Sequence, residues 1–266
     1  MDRVSVICNL SEGSLFLKSN VKDALSRLRQ FMGLPHDKTR SQIQAIKAAF
    51  DPVEIEHQRI TLIARAIGQT ESTIRSFVAE LGQPEWDEFY HSKLWNEHRG
   101  SMSIRDGTSL YALVRALSPK VCVETGVAGG CSSTYILSVL ERENAGRLFS
   151  IDVRGPHASH YGELIPERLR KRWKLRIQQG KPVLPDLLQE LGTIDFFLHD
   201  SRHTFRHMTW EYELAWNHLR PGGCLASHDV VTTTAFDDFR RTYADQVFGG
   251  GTIGNFGFLI KQDLKE

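Results

Sequence analysis

The sequence predicts an α/β fold: a Rossmann-like, doubly wound sheet of seven strands, closed by a C-terminal antiparallel hairpin and preceded by a helical N-terminal extension. Three observations carry this reading. From about residue 100 onward, short apolar runs alternate with amphipathic segments, the pattern of repeated βα units on a parallel sheet. The stretch Val121-Cys-Val-Glu-Thr-Gly-Val-Ala-Gly-Gly-Cys-Ser-Ser133 reads as a buried strand that ends in a glycine turn and opens a helix. The closing run Gly249-Gly-Gly-Thr-Ile-Gly-Asn-Phe-Gly-Phe-Leu-Ile-Lys261 suits an antiparallel hairpin better than another βα unit.

The first dozen residues, with Val4-Ser-Val-Ile7, fit either a strand or an extended arm. Residues 20–98 carry apolar positions at helical spacing: Val21, Leu25, Leu28 and Phe31, then Ile43, Ile46 and Phe50, then Ile74, Phe77, Val78 and Leu81. Pro35, Pro52 and Pro84 punctuate these helices. The boundary falls near Gly100, dividing a helical extension over 1–99, a lid or oligomerisation segment, from a catalytic domain over 100–266. In that domain the pattern predicts helices at 107–117, 132–142, 183–191, 204–219 and 232–245. Strands are expected at 121–125, 147–152, 173–178, 194–198 and 223–227, with a closing pair over 247–261. A basic helix is expected at the run Arg168-Leu-Arg-Lys-Arg-Trp-Lys174, with its charges on a solvated face. The helix from 204 has the clearest stripe, Phe205, Met208, Tyr212, Ala215 and Leu219, stopped by Pro221-Gly222-Gly223.

The 33 basic and 32 acidic residues nearly cancel, so no overall field draws the protein to nucleic acid or to an anionic membrane. Cysteines 8, 122, 131 and 224 form no C-x-x-C pair, which suits reduced thiols in a cytoplasmic protein. Neither a signal peptide nor a membrane span is expected, since charges interrupt the apolar residues of the N-terminus and no apolar run reaches spanning length.

Open parallel sheets hold ligands beyond the carboxyl ends of their strands, so residues that follow each strand matter most. A dinucleotide fingerprint fails here, because Ala128 and Cys131 stand where it requires glycine. Asp152 ends the second strand, where a carboxylate accepts hydrogen bonds from ribose hydroxyls or caps a turn. The more distinctive region is Asp195-Phe-Phe-Leu-His-Asp-Ser-Arg-His-Thr-Phe205 together with Gly222-Gly-Cys-Leu-Ala-Ser-His-Asp-Val230. Two neighbouring strands there each end in a histidine-containing acidic cluster: Asp200 with His203, and His228 with Asp229. Carboxylates on adjacent strand ends can share a divalent cation, which relieves their repulsion. All four are potential ligands, and His203, at a helix start, could instead face the substrate and accept its proton. His199 is expected to bond backbone before its helix. The aromatic segment Trp86, Phe89, Tyr90, Leu94 and Trp95 fits a helix–helix core, a subunit contact or a lid, and His157, His160 and Tyr161 border the expected site mouth.

The pattern Glu124-x-Gly126-x-x-x-Gly130 resembles the first motif of class I S-adenosylmethionine (SAM) methyltransferases. Residues 104–260 resemble a subgroup of these enzymes that includes metal-assisted sugar O-methyltransferases of macrolide tailoring and cephalosporin-modifying relatives. The resemblance implies SAM held by Glu124, Thr125, Gly126, Gly130, Ser132, Asp152, Gly180 and Asp200. It further implies Mg²⁺ at Asp200, His228 and Asp229, with His203 as base and Asp200 beside it in catalysis. His228 departs from the pattern, which has a carboxylate at that position. The implied activity is methyl transfer to a hydroxyl of a small molecule, a natural-product or sugar-like acceptor, by a homo-oligomer. Two other readings remain at this point. Two histidines and one carboxylate can hold Fe(II) for oxygenase chemistry, and a SAM-binding scaffold without turnover would keep the cofactor site alone.

Overall fold

The computed structural model describes residues 52–84, 86, 89, 102–153, 155, 160–178 and 183–263, with side chains described from Glu56 on. The expected arm at the N-terminus, the helices before residue 51 and the residues around Gly100 lie outside this set, as do Tyr90, Leu94, Trp95, His157 and Gly180. Residues from Ile55 onward form one compact unit. Among the described residues, no helix is long and apolar enough to cross a membrane.

Among the described residues, two helices precede the one that leads into the sheet. Helix α1 (Pro52–Ile67) starts at a proline, whose fixed φ suits a first helical turn. Helix α2 (Glu71–Ala79) is capped by Thr70, whose hydroxyl accepts from the Thr73 amide at 3.2 Å. Helix α3 (Ile104–Leu117) begins in the same way, with the Ser103 hydroxyl accepting from the Asp106 amide at 3.1 Å. The βα units then follow in order: β1 (Val121–Thr125), α4 (Cys131–Arg142), β2 (Arg147–Val153), β3 (Trp173–Gln178), α5 (Leu184–Leu191), β4 (Ile194–His199), α6 (Phe205–His218), β5 (Leu219–His228) and α7 (Ala235–Thr242). The chain closes with β6 (Val247–Ile253) and β7 (Phe256–Lys261).

The seven strands lie in the order β3-β2-β1-β4-β5-β7-β6. Strands β1 to β5 pair in parallel, while β7 runs antiparallel to both β5 and β6, so the expected hairpin is present. Strand order reverses between β1 and β4, and the crevice for a ligand opens at their carboxyl ends. Alternation along the strands feeds two cores. Cys122, Phe196, Leu198, Cys224 and Ala226 pack toward α1–α4, and Val123, Phe197, Leu225 and Leu259 toward α5–α7. Trp86 stacks on Tyr135 at 5.0 Å and meets Phe89 and Tyr111 edge-on, so the described part of the aromatic segment is helix–helix core.

Three local expectations are corrected. The basic run forms a 3-10 turn (Glu167–Arg172) and then enters β3 at Trp173, rather than a helix. Its charges are partly engaged: Arg172 and Lys171 pair with Glu141, and Arg170 donates to the Gly162 carbonyl at 2.7 Å. The helix expected over 232–245 covers only 235–242, followed by a 3-10 turn at 244–246. Phe205 opens α6 half exposed at 48 %, and Leu219 begins β5, so neither belongs to the buried stripe of α6.

Candidate active site

The carboxyl end of β1 turns on Gly126, whose φ of 83° an L-side chain adopts poorly. The reason for glycine is the neighbouring strand. A Cβ at this position would stand 2.0 Å from the Asp200 carbonyl oxygen, so the ends of β1 and β4 could not close together. The Asp200 amide donates to the Thr125 carbonyl at 2.9 Å across the same junction. Gly130 (φ 88°) then opens α4 without a side-chain cap, which leaves the first-turn N–H groups to a ligand or solvent.

Asp152 closes over this turn. Its Oδ2 accepts from the amides of Val127 at 2.7 Å and Ala128 at 3.0 Å, while Oδ1 accepts from its own neighbour Val153 at 2.7 Å. The carboxylate therefore clamps the glycine loop to β2 and retains acceptor capacity on Oδ1. Tyr161 stands beside it, donating to the Val153 carbonyl at 3.0 Å.

Glu124 takes a different place from the turn residues. Its side chain is fully buried under the loop and accepts from the hydroxyls of Ser133, Ser150 (2.7 Å) and Ser132 (3.2 Å). Burial pushes its pKa up to about 7, against the lowering effect of those serines. Ser132 is thus committed to Glu124, and both stiffen the turn from beneath.

Thr125 leads to a buried carboxylate that the motif reading missed. Its hydroxyl donates to Glu211 Oε2 at 2.5 Å, and His199 Nδ1 lies 2.6 Å from the same oxygen. His207 Nε2 lies 3.0 Å from Oε1, and the Ser201 hydroxyl donates at 3.1 Å. Burial acts to raise the Glu211 pKa, but the hydrogen bonds from His199 and His207 hold it at about 2. His199 therefore bonds this carboxylate rather than backbone, correcting the expectation. The signal lay in the sequence: Glu211 falls three residues after Met208 and four before Ala215, on the buried stripe of α6, where a charge needs a partner.

The third strand end, β5, brings the remaining candidates together. Asp229 adopts a left-handed φ of 55°, a conformation that aspartate tolerates better than most residues. Asn255 donates to its Oδ1, and its main-chain carbonyl accepts from the Thr232 amide at 3.1 Å. His203 Nε2 lies 2.9 Å from Asp229 Oδ2, and that hydrogen bond raises the histidine's pKa. It also leads the effects that depress Asp229 to about 2. Ligand atoms of Asp200, His203 and Asp229 all lie within 4.8 Å of one another.

His228 sits among carboxylates at the same strand end. Nδ1 is 3.2 Å from Asp200 Oδ1 and 3.6 Å from Asp229 Oδ2, and Nε2 is 3.5 Å from Asp106 Oδ2. Burial works to lower its pKa, but the bonds to Asp106 and Asp200 outweigh it and lift it to about 10. Asp106, on the first turn of α3, was not singled out by the sequence reading.

Residues 123–230 match the family model of a methyltransferase domain. No curated protein matches the sequence. Among solved structures, the chain is similar to the O-methyltransferase TomG of Streptomyces achromogenes, involved in tomaymycin synthesis and solved in complex with SAM. That likeness has 16 % identity and a TM-score of 0.54, covering 71 % of this chain and 96 % of the other. A Klebsiella pneumoniae protein described as an O-methyltransferase gives 19 % identity and a TM-score of 0.53, covering 72 % and 97 %. At these identities the likeness is one of fold.

Proposed function

We propose that this chain is a class I SAM-dependent methyltransferase that moves a methyl group from SAM to a hydroxyl of a small natural-product or sugar-like acceptor, a reading supported by the methyltransferase-domain match over residues 123–230. The observation that carries the reading is the meeting of three strand ends. The glycine turn after β1 is packed against Asp200 after β4, which faces His228 and Asp229 at the end of β5. A cofactor site and a set of acid–base groups thus share one crevice.

SAM, when bound, supplies a sulfonium whose methyl is already electrophilic, so the protein's task is alignment and activation of the acceptor. The turn Gly126–Gly130 and the first-turn amides of α4 receive the amino-acid end. Asp152 accepts the ribose hydroxyls through the capacity left on Oδ1 while its Oδ2 keeps the loop in register. Glu124, Thr125 and Ser132 support the turn through the buried bonds described above. Asp200 joins the two halves, since its main chain abuts the turn and its carboxylate faces the acceptor side.

His203 takes the acceptor proton. Asp229 holds its Nε2, which leaves Nδ1, buried and without a hydrogen-bond partner among the described residues, as the nitrogen that accepts the proton. Asp200 and Asp229 would offer two carboxylates to a divalent cation; the ligand atoms that all lie within 4.8 Å of one another are theirs and one of His203, with His228 Nδ1 alongside at 3.2 and 3.6 Å. Such a cation, Mg²⁺ in the resembled subgroup, would supply Lewis-acid stabilisation of the developing alkoxide.

The test is transfer of an isotopically labelled methyl group from SAM to a panel of hydroxylated small molecules, with and without a chelator. Label recovered as an ether on the acceptor supports the reading. Bound SAM with no product from any acceptor, at any metal tested, contradicts it.

A further inference from the structure

The loop between β4 and α6 and the first turn of that helix carry two arginines, Arg202 and Arg206, on either side of His203 in the chain. Both are exposed, and neither makes an ion pair or a hydrogen bond among the described residues. Arg202 follows Asp200 by two residues yet forms no bridge to it. Other arginines behave differently: Arg172 pairs with Glu141, Arg241 with Asp238, and Arg59 with Asp106 at 2.6 Å. The chain as a whole is close to neutral, with 33 basic and 32 acidic residues, so this excess of positive charge is local.

The backbone adds donors at the same place. Helix α6 starts at Thr204 without a side-chain cap and without an acidic residue in its first turn. Hydroxyls cap α2 and α3, and aspartates stand in the first turns of α5 and α7. The Thr204 carbonyl accepts from His207 at 3.0 Å and Met208 at 2.9 Å, while the amides of Phe205 and Arg206 have no acceptor among the described residues. A cation in the first turn opposes the helix dipole, so Arg206 does not stabilise α6 from where it stands. Free guanidinium groups beside free first-turn amides suit an anion. The adjoining strand end also offers polar atoms to an occupant. His199 Nε2 and His203 Nδ1 are buried there with no hydrogen-bond partner among the described residues.

We propose that the methyl acceptor carries an anionic group, a carboxylate or a phosphate, held by Arg202, Arg206 and the first-turn amides of α6 while its hydroxyl faces His203. The inference rests on the methyl-transfer reading above and deepens it by naming the acceptor's chemistry. Asp200 and Asp229 repel an anion from their own side, so the acceptor enters in one orientation. Arg206 follows His203 by three residues, at most about 10 Å of chain, so hydroxyl and anion fit on one small molecule. Planar guanidinium groups bind carboxylate and phosphate oxygens in pairs, which adds selectivity to the attraction.

The test compares acceptors matched in all but charge: a dihydroxybenzoate with its amide, and a sugar phosphate with the free sugar. Labelled methyl transfer gives kcat and KM for each, and calorimetry on the protein loaded with S-adenosylhomocysteine gives affinity without turnover. The anionic member of at least one pair is expected to be preferred, and which pair shows it separates carboxylate from phosphate. Arg202→Ala and Arg206→Ala should each raise the KM for that acceptor about 10- to 100-fold, with its neutral partner and SAM affinity held within about twofold. Arg147→Ala, at an exposed position on the amino end of β2, should change neither. Equal affinity within both pairs, absence of binding included, or equal losses on charged and neutral members in the arginine variants, overturns the proposal. A charge preference in calorimetry with no transfer of label removes the methyl-transfer reading alone, and transfer without charge preference removes this inference alone.

Discussion

Glu211 lies 2.6 Å from His199 Nδ1 in the buried space between β4 and α6, with Thr125 donating to the same carboxylate oxygen. The contact joins β1, β4 and α6 directly beneath the crevice. Truncation to alanine would strand two histidines and two hydroxyls, so Glu211→Ala is expected to cost about 3–5 kcal/mol, and Glu211→Gln less. Urea denaturation monitored by circular dichroism checks this. A midpoint for Glu211→Ala equal to that of the wild type would show that the contact contributes nothing to stability.

Asp152 is expected to govern SAM affinity without governing the fold. Replacing it with alanine releases the Val127 and Ala128 amides and removes the proposed ribose acceptor, so SAM should bind about 10- to 100-fold more weakly. Equilibrium binding of SAM to the variant measures this, with a thermal melt to verify folding. Unchanged affinity would confine Asp152 to the loop clamp.

His203→Ala is expected to lower kcat by about 10²- to 10⁴-fold and to leave SAM affinity unchanged, since the role proposed for the ring is to take the acceptor proton. A variant that loses SAM affinity and kcat together would place His203 in cofactor binding instead.

Glu124 predicts a pH effect on stability. Its folded-state pKa of about 7 exceeds the ordinary glutamate value of 4.5, so the native state keeps a proton that the unfolded chain releases between those values. The contribution is fully present below 4.5 and is lost as pH rises through about 7. Glu124→Gln removes this titration, and its stability should fall less than that of the wild type between pH 5 and 8. Parallel wild-type and variant curves over that window would contradict the assignment.

The sheet was legible because strand alternation, the turn at Gly126 and the glycine-rich closing pair each leave a local signature of period or backbone freedom. The cluster of Asp200, His203, His228 and Asp229 was legible because all four follow two apolar runs that had to be neighbouring strands. Asp106, Arg59 and Glu211 were less so. Each meets its partner across a distance in sequence, Arg59 to Asp106 and Glu211 to Thr125, and helical spacing reveals only that such charges face inward, not what they meet. The basic run was misread for a related reason. Trp173 and Lys174 extend its composition, but Trp173 begins β3, and its ring N–H donates to Ser150 at 2.8 Å.

Titration calorimetry of SAM into the protein tests the central claim most directly. The account predicts saturable binding of one SAM per chain, weakened by Asp152→Ala. Absence of heat at millimolar SAM, from a protein that still melts cooperatively, would contradict it.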